Sequence, residues 1–465
     1  MFKQAYTPMK RGFDEHMGYY QGCESAYTHL AACCGAGSPD HDQDFVCDSN
    51  TTNSGYVGYD WFKSGAFPNA GISKPDLTVN HTNSADLIAA AAVEFIGRNA
   101  KATKPWMLYL PFQNIHGPYT CDKKFRDLYA VPAGKFTAGE QTMFGYVSEM
   151  DAAVGKVMAK LKASAAAYAN TVIFFSSDNG APPASADVNH QRGQNPGWIS
   201  RNYPFRGHKA LIWEGGTRVA GFVHSALLPK AVRGTVSLGF YHVTDWLPTI
   251  VGLAGGSTTR NQKLDGHDIW PSITKGSASP RTEMLYNVNP INAGQAGAPR
   301  AGLRMGDYKV LCWSYDVVGI TPNATATGPC KPCAGAKDPE LAKGPVLFNL
   351  AKDPSETTNI AAQEPEILAK LLARLKELAV QSVEPQQWMK PYQGKDYYCA
   401  DCPTHPHGTG PASPWLPWCA DNGETRAEPC KPINYGSTAP PSFPDQRDAH
   451  LTHDALAGSL SSTGN

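Results

Sequence analysis

The chain of 465 residues has neither a long apolar run nor an excess of charge of either sign. Its longest apolar candidate, residues 87–97, is interrupted by Glu94 and falls short of the roughly 20 apolar residues that span a bilayer. Lys plus Arg and Asp plus Glu number 41 each, so the formal net charge is zero. This balance gives no electrostatic reason to expect nucleic acid or an acidic membrane as a partner, and any anion site must therefore be local.

The first residues also lack the features of a signal peptide. Charged and turn residues stand within MFKQAYTPMKRGFDEH, where a signal peptide has its apolar core. We therefore expect either a cytosolic protein or a chain whose true beginning lies upstream of Met1. The second alternative is favoured by the resemblance described below.

Cysteine, by contrast, is plentiful, with twelve residues in segments rich in Gly, Pro and Asn. The clusters are at positions 23, 33, 34 and 47, at 312, 330 and 333, and at 399, 402, 419 and 430, with Cys121 alone. This usage favours disulfides in a secreted or lysosomal protein. A zinc site at Cys399 and Cys402, near His405 and His407, is the alternative, but a zinc ribbon would need a second close pair of cysteines.

Three N-x-S/T sequons are candidate glycosylation sites. They lie at Asn50, Asn80 and Asn323. Such triplets also arise by chance, so they agree with secretion without establishing it.

The hydrophobic pattern between residues 84 and 177 predicts alternating helices and strands. A helix is expected to begin near Ser84, its candidate N-cap, and to run to about Arg98. A buried strand is expected at 106–112, a long amphipathic helix at 140–162 and a second strand at 171–177. The alternation favours a parallel sheet with a right-handed crossover. Spacings of four and three define one apolar face of the long helix, which consists of Met143, Val147, Met150, Val154, Val157 and Leu161.

Polar residues follow both predicted strands. His116 comes just after the first, in PFQNIHGPY, and Asp178 and Asn179 end the second, in TVIFFSSDNG. In a parallel pair these carboxyl ends lie on the same side of the sheet, where ligands bind. Glu149 and Asp151, on the helix between the strands, are expected to be solvated or to take part in helix packing.

Each of these polar residues allows a chemical and a structural interpretation. Asp178 and Asn179 offer oxygen ligands that suit a hard cation such as calcium or magnesium, or they form a turn that closes the strand. Lys209, in RGHKALIWEGGTRVAGF, offers a compact ammonium to a sulfate or phosphate oxygen, or belongs to a solvated basic face. His116 can donate a proton near neutrality, or it has a structural role in its loop.

The pattern of predicted secondary structure changes after about Glu283. Short strands are expected at 284–287, 301–313 and 346–350, separated by Pro and Gly turns, followed by a helix at 365–380. We expect an α/β domain at 1–283, a small α+β subdomain at 284–393 built on an antiparallel sheet with a packed helix, and a partly disordered Cys- and Pro-rich tail at 394–465.

Taken together, the motifs resemble the sulfatase family, and most closely its arylsulfatase B-like members. The similarity runs in order through YTPMKRGFDEHMGYY, LYLPFQNIHGPY, SDNG, RGHKALIWEGG, HVTDWLPTI, LDGHDIW, LRMGDYKV and LFNLAKDPSETTN. It covers residues 6–385, and so many motifs in one order are highly specific.

The resemblance implies the fold of the alkaline phosphatase superfamily, with a large α/β domain of mainly parallel sheet and a small antiparallel sheet beside it. By resemblance, Asp178 and Asn179 are two of the ligands of one calcium ion, Lys209 binds the sulfate, and His116 stands near the ester oxygen. The implied substrate is a sulfated small molecule or carbohydrate, and the implied location is secreted or lysosomal.

The chain departs from the family pattern in lacking several of its motifs, among them a lysine and a histidine in a K-x-H pattern. Sulfatases begin with a strand carrying two adjacent aspartates, followed by a C-x-P/A-x-R motif whose cysteine the formylglycine-generating enzyme oxidises. Neither is present, and Cys330 and Cys430, which begin C-x-P triplets, lack the arginine and lie in the wrong part of the chain. We expect little or no sulfatase activity from the chain as printed, with a truncated sequence as the favoured reason.

Two other functions remain open. A sulfatase-like protein without catalysis would retain an anion pocket and bind sulfated ligands. A phosphoesterase of the same superfamily would use Ser or Thr and two metals with a second His and Asp cluster, and the sequence shows no such cluster.

Overall fold

In the computed structural model, the described part of the chain comprises residues 7–20, 24–31, 58–65, 74–117, 119–130, 135–181, 202–209, 211–258, 264–288, 301–312, 317–318, 325–326 and 344–381. Residues 394–465 lie outside it, so the expected tail and its Cys399 and Cys402 are not described. The domain boundary at 283 stays a prediction.

The described helices differ widely in length. They are α1 (Ser84–Asn99), α2 (Lys123–Arg126), α3 (Ala138–Lys162), α4 (Ala165–Ala169), α5 (Glu214–Thr217), α6 (Trp246–Leu253), α7 (Trp270–Lys275) and α8 (Pro365–Val380). No helix in these ranges is both long and apolar enough to cross a membrane.

The strands are short. They are β1 (His16–Gly18), β2 (Leu30–Ala31), β3 (Gly58–Tyr59), β4 (Phe62–Ser64), β5 (Lys74–Pro75), β6 (Val172–Ser176), β7 (Gly221–Ser225), β8 (Glu283–Val288), β9 (Ala301–Met305), β10 (Tyr308–Cys312), β11 (Val317–Val318), β12 (Thr325–Ala326) and β13 (Val346–Asn349).

Both long N-terminal helices begin with side-chain caps. The Asn83 side chain accepts a hydrogen bond from the Ala85 N–H at 2.8 Å, so the cap of α1 is one residue earlier than the expected Ser84. Helix α3 begins with a capping box, in which Thr137 Oγ1 accepts from the Glu140 N–H and Glu140 Oε2 accepts from the Thr137 N–H. The two helices pack against each other through Ala85, Ala89 and Ala153.

The buried face of α3 agrees with the expected one at Met143 and Leu161, which are buried, and differs between them. Tyr146, Glu149 and Ala153 are buried, whereas Val147 is 39% exposed. In the middle of the helix the expected apolar face lies about one residue after the buried one. The sequence pattern counts only apolar residues, and it therefore passes over the buried Glu149. Glu149 therefore has a packing role and is not solvated.

The expected strand at 106–112 is not part of any sheet in the described residues. Residue 111 is a proline without an N–H, and the Phe112 N–H donates to the Leu110 carbonyl at 3.1 Å, so backbone groups that a ladder would need are absent or used locally. Strand β6 pairs antiparallel with β7, with Val172 opposite Ser225. The expected parallel partnership of 106–112 with β6 was therefore wrong for the part of the chain described here.

The expected C-terminal sheet is confirmed. Its four strands are antiparallel in the order β13–β10–β9–β8, and helix α8 packs on it. The run 301–313 forms two strands, β9 and β10, because the chain reverses at Gly306, whose φ of +55° is readily adopted by glycine.

This sheet buries both of its faces. Val310 and Leu347 point to the helix side, where they pack with Leu371 and Leu375 of α8. The residues next to them in sequence point the other way, and Leu311, Val346 and Phe348 pack against Trp213. The sheet therefore carries α8 on one face and the segment containing Trp213 on the other.

A buried ion cluster ties that segment to the sheet. Lys309 of β10 is fully buried, and its Nζ lies 2.9 Å from Glu214 Oε1 and 2.8 Å from Glu356 Oε1. Glu356 Oε2 also accepts the Glu214 N–H at 2.6 Å, and the Tyr286 hydroxyl donates to Glu214 Oε1 at 2.9 Å. Burial raises the pKa of Glu356, and the Lys309 charge opposes this shift.

We expect the substitution Lys309→Met to lower the free energy of unfolding by about 3–5 kcal/mol, because it leaves two buried carboxylates without their counter-charge. Urea unfolding followed by tryptophan fluorescence measures this loss. Lys352→Met removes an exposed lysine of the same region and should stay within about 0.5 kcal/mol of the unchanged chain. Equal unfolding midpoints for the two variants would contradict the importance of the cluster.

Candidate functional site

Two sequence motifs that lie more than thirty residues apart are in direct contact. The end of β6, Ser177-Asp178-Asn179-Gly180, lies against the turn that begins α5, and the Gly180 N–H donates to the Gly216 carbonyl at 3.0 Å. The Lys209 N–H donates to the Ala181 carbonyl at 2.9 Å. The segment that carries Lys209 is thereby fixed beside Asp178 and Asn179.

Glycine is required where these backbones meet. A Cβ at Gly180 would collide with the Gly215 carbonyl oxygen, and a Cβ at Gly216 would collide with the Leu211 carbonyl oxygen. Asn202 secures the contact from the side, since its Oδ1 accepts the Ala181 N–H at 2.7 Å and its Nδ2 donates to the Ala181 carbonyl at 2.9 Å. Both motifs therefore carry glycine for close approach.

Lys209 stands in a segment that is anchored on the C-terminal sheet. Arg206 donates to the Glu356 carbonyl at 3.0 Å, and its guanidinium stacks on the Trp213 ring at 3.9 Å from the centroid. Glu214, a few residues after Lys209, belongs to the buried cluster around Lys309. The sheet, together with Glu356 in the segment that follows it, thus holds the lysine segment on both sides of Lys209.

Asp178 and Asn179 form a compact pair of oxygen donors. Asp178 Oδ1 accepts hydrogen bonds from the Asn179 N–H at 2.8 Å and from its Nδ2 at 2.9 Å, and the Asp178 side chain is exposed. The donors fit a hard cation in kind, but calcium takes about six to eight oxygen ligands. Among the residues described, no three His, Cys, Asp or Glu side chains form a metal cluster.

His116 lies half-buried in the loop between residues 113 and 122. Its Nδ1 is 2.7 Å from the Gly117 carbonyl, and since a carbonyl only accepts, Nδ1 carries the hydrogen and Nε2 is left for other partners. Burial lowers the pKa of His116, while the Gly117 carbonyl raises it.

Charges from the two other motifs reach this imidazole. The Lys209 ammonium lowers the pKa of His116 further, and the Asp178 carboxylate raises it. The charges of both side chains therefore act on the imidazole. The structure brings together three separate sequence segments, each of which supplies a polar group.

Sequence reasoning missed two neighbours of this arrangement. Burial raises the pKa of Tyr19, and the carboxyl groups of Glu24, Asp60 and Asp178 raise it further, so Tyr19 lies near Asp178 and keeps its phenolic proton. Glu149 contacts both ends of the His116 loop. A tyrosine in a loop and a glutamate on a helix carry no local signal of such a position.

The structure describes some of the predicted glycosylation sites and cysteines. The sequon residue Asn80 is exposed, whereas Asn50 and Asn323 lie outside the described residues. Cys312 is disulfide-bonded. The buried thiol of Cys121 donates to the Thr142 carbonyl at 3.4 Å.

Comparison with known sequences assigns these motifs to one family. The family model described as Sulfatase matches residues 17–257, just over half of the chain. Arylsulfatase J of Mus musculus is 29% identical over 390 residues, which cover 81% of this chain and 58% of the mouse protein. Arylsulfatase G of Homo sapiens is 28% identical over 355 residues, which cover 76% of this chain and 61% of the human protein. The chain thus spans about three-fifths of the length of these relatives.

Solved structures give the same fold. The crystal structure of Ps i-CgsB has a TM-score of 0.59 at 22% identity and covers 86% of this chain and 74% of that chain. Its complex with k-i-k-neocarrahexaose has a TM-score of 0.58 at 21% identity, with coverages of 87% and 75%. At this level of identity the likeness concerns the fold, and it confirms the expected alkaline phosphatase-like α/β class.

The electrostatic contacts of His116 can be tested by NMR titration of its imidazole. We expect a pKa below the ordinary 6.5 in the unchanged chain. Lys209→Met should raise this pKa because a repelling cation is removed, and Asp178→Asn should lower it because an attracting anion is removed. Lys230→Met, which removes an exposed lysine, is the control. If neither Lys209→Met nor Asp178→Asn shifts the titration, the three groups do not share a site.

Proposed function

Since the chain belongs to the sulfatase family, a family of sulfuric ester hydrolases, we propose that the site around His116 and Lys209 binds the sulfate group of a sulfate ester for hydrolysis. The observation that carries the proposal is the backbone contact between the segments of Asp178 and Lys209, in which the Lys209 N–H donates to the Ala181 carbonyl at 2.9 Å, together with the effect of both charges on the His116 imidazole. A cation and a titratable donor at one place suit a tetrahedral anion with a leaving group beside it, and the nearby carboxylate suits a metal cation that would offset its repulsion of that anion.

Lys209 supplies the charge for the anion. Its ammonium is a compact donor that can meet sulfuryl oxygens, and charge-assisted hydrogen bonds of this kind are about twice as strong as neutral ones. The chain as a whole has no net charge, so the attraction for sulfate comes from this locality. Lys209 also stabilises the negative charge that grows on the sulfuryl oxygens as the ester bond breaks.

His116 supplies the proton for the leaving group. With Nδ1 bound to the Gly117 carbonyl, Nε2 is the atom that donates to the ester oxygen when the S–O bond breaks. Only the protonated imidazole can do this. Because the pKa of His116 is lowered, the protonated fraction decreases as pH rises through that pKa.

Asp178 and Asn179 would hold one calcium ion together with further oxygen ligands. Their oxygen donors match the preference of that ion, and the family resemblance favours calcium over magnesium. When bound, the ion would neutralise charge on the sulfuryl oxygens. The substrate class proposed is a sulfated small molecule or carbohydrate, and a secreted or lysosomal location is proposed from the cysteines, the sequons and the family resemblance.

Hydrolysis also needs a nucleophile. No C-x-P/A-x-R motif occurs in the printed sequence, so this chain offers no substrate to a formylglycine-generating enzyme. We propose that a form carrying that motif turns over sulfate esters, and that the printed chain alone binds them. A purely anion-binding role is the second candidate, and the missing motif is the observation that favours it. Nothing comparable favours a phosphoesterase.

We expect inorganic sulfate to bind the unchanged chain and to raise the pKa of His116, because the anion offsets the Lys209 charge. Lys209→Met should weaken sulfate binding by about ten- to a hundredfold, the loss expected for one charge-assisted hydrogen bond. Titration calorimetry and the His116 NMR signal both report binding. Lys230→Met should bind as the unchanged chain does. Equal affinities for Lys209→Met and Lys230→Met would contradict the role of Lys209.

We expect turnover of 4-nitrophenyl sulfate by the printed chain to stay at the uncatalysed background, since no nucleophile is supplied. The absorbance of the released 4-nitrophenol measures this turnover. The Lys209→Met variant is the matched control for contaminating sulfatase. Turnover that depends on Lys209 would show that the chain contains its own nucleophile and would refute the binding-only role.

A further inference from the structure

One buried carboxylate holds both ends of the loop that carries His116. Glu149 of α3 is only 3% exposed. Its Oε2 accepts from Asn114 Nδ2 at 3.4 Å, two residues before His116, and its Oε1 accepts from the Asp122 N–H at 3.0 Å, six residues after it. Helix α3 is long and capped, so Glu149 is a fixed point to which both ends of the loop are attached.

Other contacts reinforce these two ends. Asn114 Nδ2 also donates to the Tyr146 carbonyl of α3 at 3.1 Å. At the other end, the Tyr27 hydroxyl donates to Asp122 Oδ1 at 2.7 Å, and Lys124 Nζ lies 3.0 Å from Asp122 Oδ2. These bonds fix the direction of the donors that meet Glu149. The carboxylate is the acceptor that brings the two ends of the loop together.

We propose that Glu149 is a positioning residue, whose ionised carboxylate closes the loop of residues 114–122 and thereby sets the place of the His116 imidazole. The catalytic meaning of this positioning rests on the proposed function, because only a sulfate-ester site makes the place of His116 matter for turnover. The closure itself depends only on the hydrogen bonds described above.

The chemistry of the two bonds makes the closure depend on ionisation. The Asp122 N–H and the side-chain amides of Asn83 and Asn114 all favour the ionised form of Glu149, which only accepts hydrogen bonds. A protonated carboxyl group would direct its own O–H toward one of these donors and weaken that bond. Burial raises the pKa of Glu149 to about 7, while the Asp122 N–H opposes the shift. The titratable groups that surround it are Asp122, Tyr27, Tyr146, Lys124 and Cys121.

The sign of the effect on stability follows from this shift. A carboxyl group whose pKa rises from 4.5 to about 7 on folding keeps a proton that the unfolded chain releases in that window. Glu149 therefore lowers stability as pH rises from about 4.5 to 7, and the full penalty persists at higher pH. The ionised form of Glu149 thus closes the loop but lowers the free energy of unfolding. A residue that only supported the fold would have the opposite effect on stability when it ionised.

The test is the substitution Glu149→Gln, read by NMR titration of His116 in histidine-labelled protein and assigned with His116→Gln. In the unchanged chain we expect the His116 signal to show a second inflection near pH 7, which disappears in Glu149→Gln. Asp151→Asn removes an exposed carboxylate from the same helix and should keep the inflection. Melting temperatures should fall from pH 5 to pH 8 more in the unchanged chain than in Glu149→Gln.

A His116 titration that is the same in Glu149→Gln as in the unchanged chain would overturn the proposal. If Glu149→Gln fails to fold, Asn114→Ala removes one end of the closure and should shift the His116 signal while melting cooperatively, and an unshifted signal would be equally negative. Sulfate binding is measured on the same samples. Loss of the inflection in a chain that binds no sulfate would support the positioning of His116 and refute the proposed function.

Discussion

The buried cluster of Lys309, Glu214 and Glu356 is the interaction on which the arrangement of the site depends. Apolar packing of Trp213 on the sheet would tolerate sliding, because the hydrophobic effect has no direction. A buried ammonium between two carboxylates does not, since every displacement exposes an unpaired charge to an apolar environment. The cluster therefore fixes where Glu214 lies and, through the short chain before it, where Lys209 lies.

The cluster also explains why a small antiparallel sheet matters to chemistry that takes place elsewhere. Lys309 points to the side of β10 opposite α8, so one strand contributes apolar residues to the helix side and an ion to the site side. Glu356, which completes the cluster, has a φ of +55°, an unfavourable conformation for a glutamate. Its buried bonds to Lys309 and to the Glu214 N–H offset that cost.

How far the sequence could predict this structure depended on whether the signal was local. Helix α8 agrees with the predicted 365–380, because a proline at its start and a regular leucine spacing are local signals. The strand at 106–112 failed because extended backbone requires a neighbour, and the pattern of Trp106 to Phe112 does not specify one. For Glu149 the sequence left a solvated and a packing role open, since the donors Asn114 and Asp122 that meet its carboxylate come from a distant loop.

The glycines in the motifs of the candidate site were its most informative sequence signal. Gly180 and Gly216 are required because two backbones touch there, and the same contact places Lys209 beside Asp178. The glycines of the two motifs thus indicate a tertiary contact that can be predicted from the local sequence. Tyr19 and Glu149 have no such local signal, because large side chains are compatible with many positions.

The charges around His116 make its protonation sensitive to a bound anion. Lys209 and Asp178 act on the pKa of His116 in opposite directions, and a bound sulfate would add a third charge that acts on it. Binding of the anion would then itself raise the protonated fraction of the group that must give up a proton.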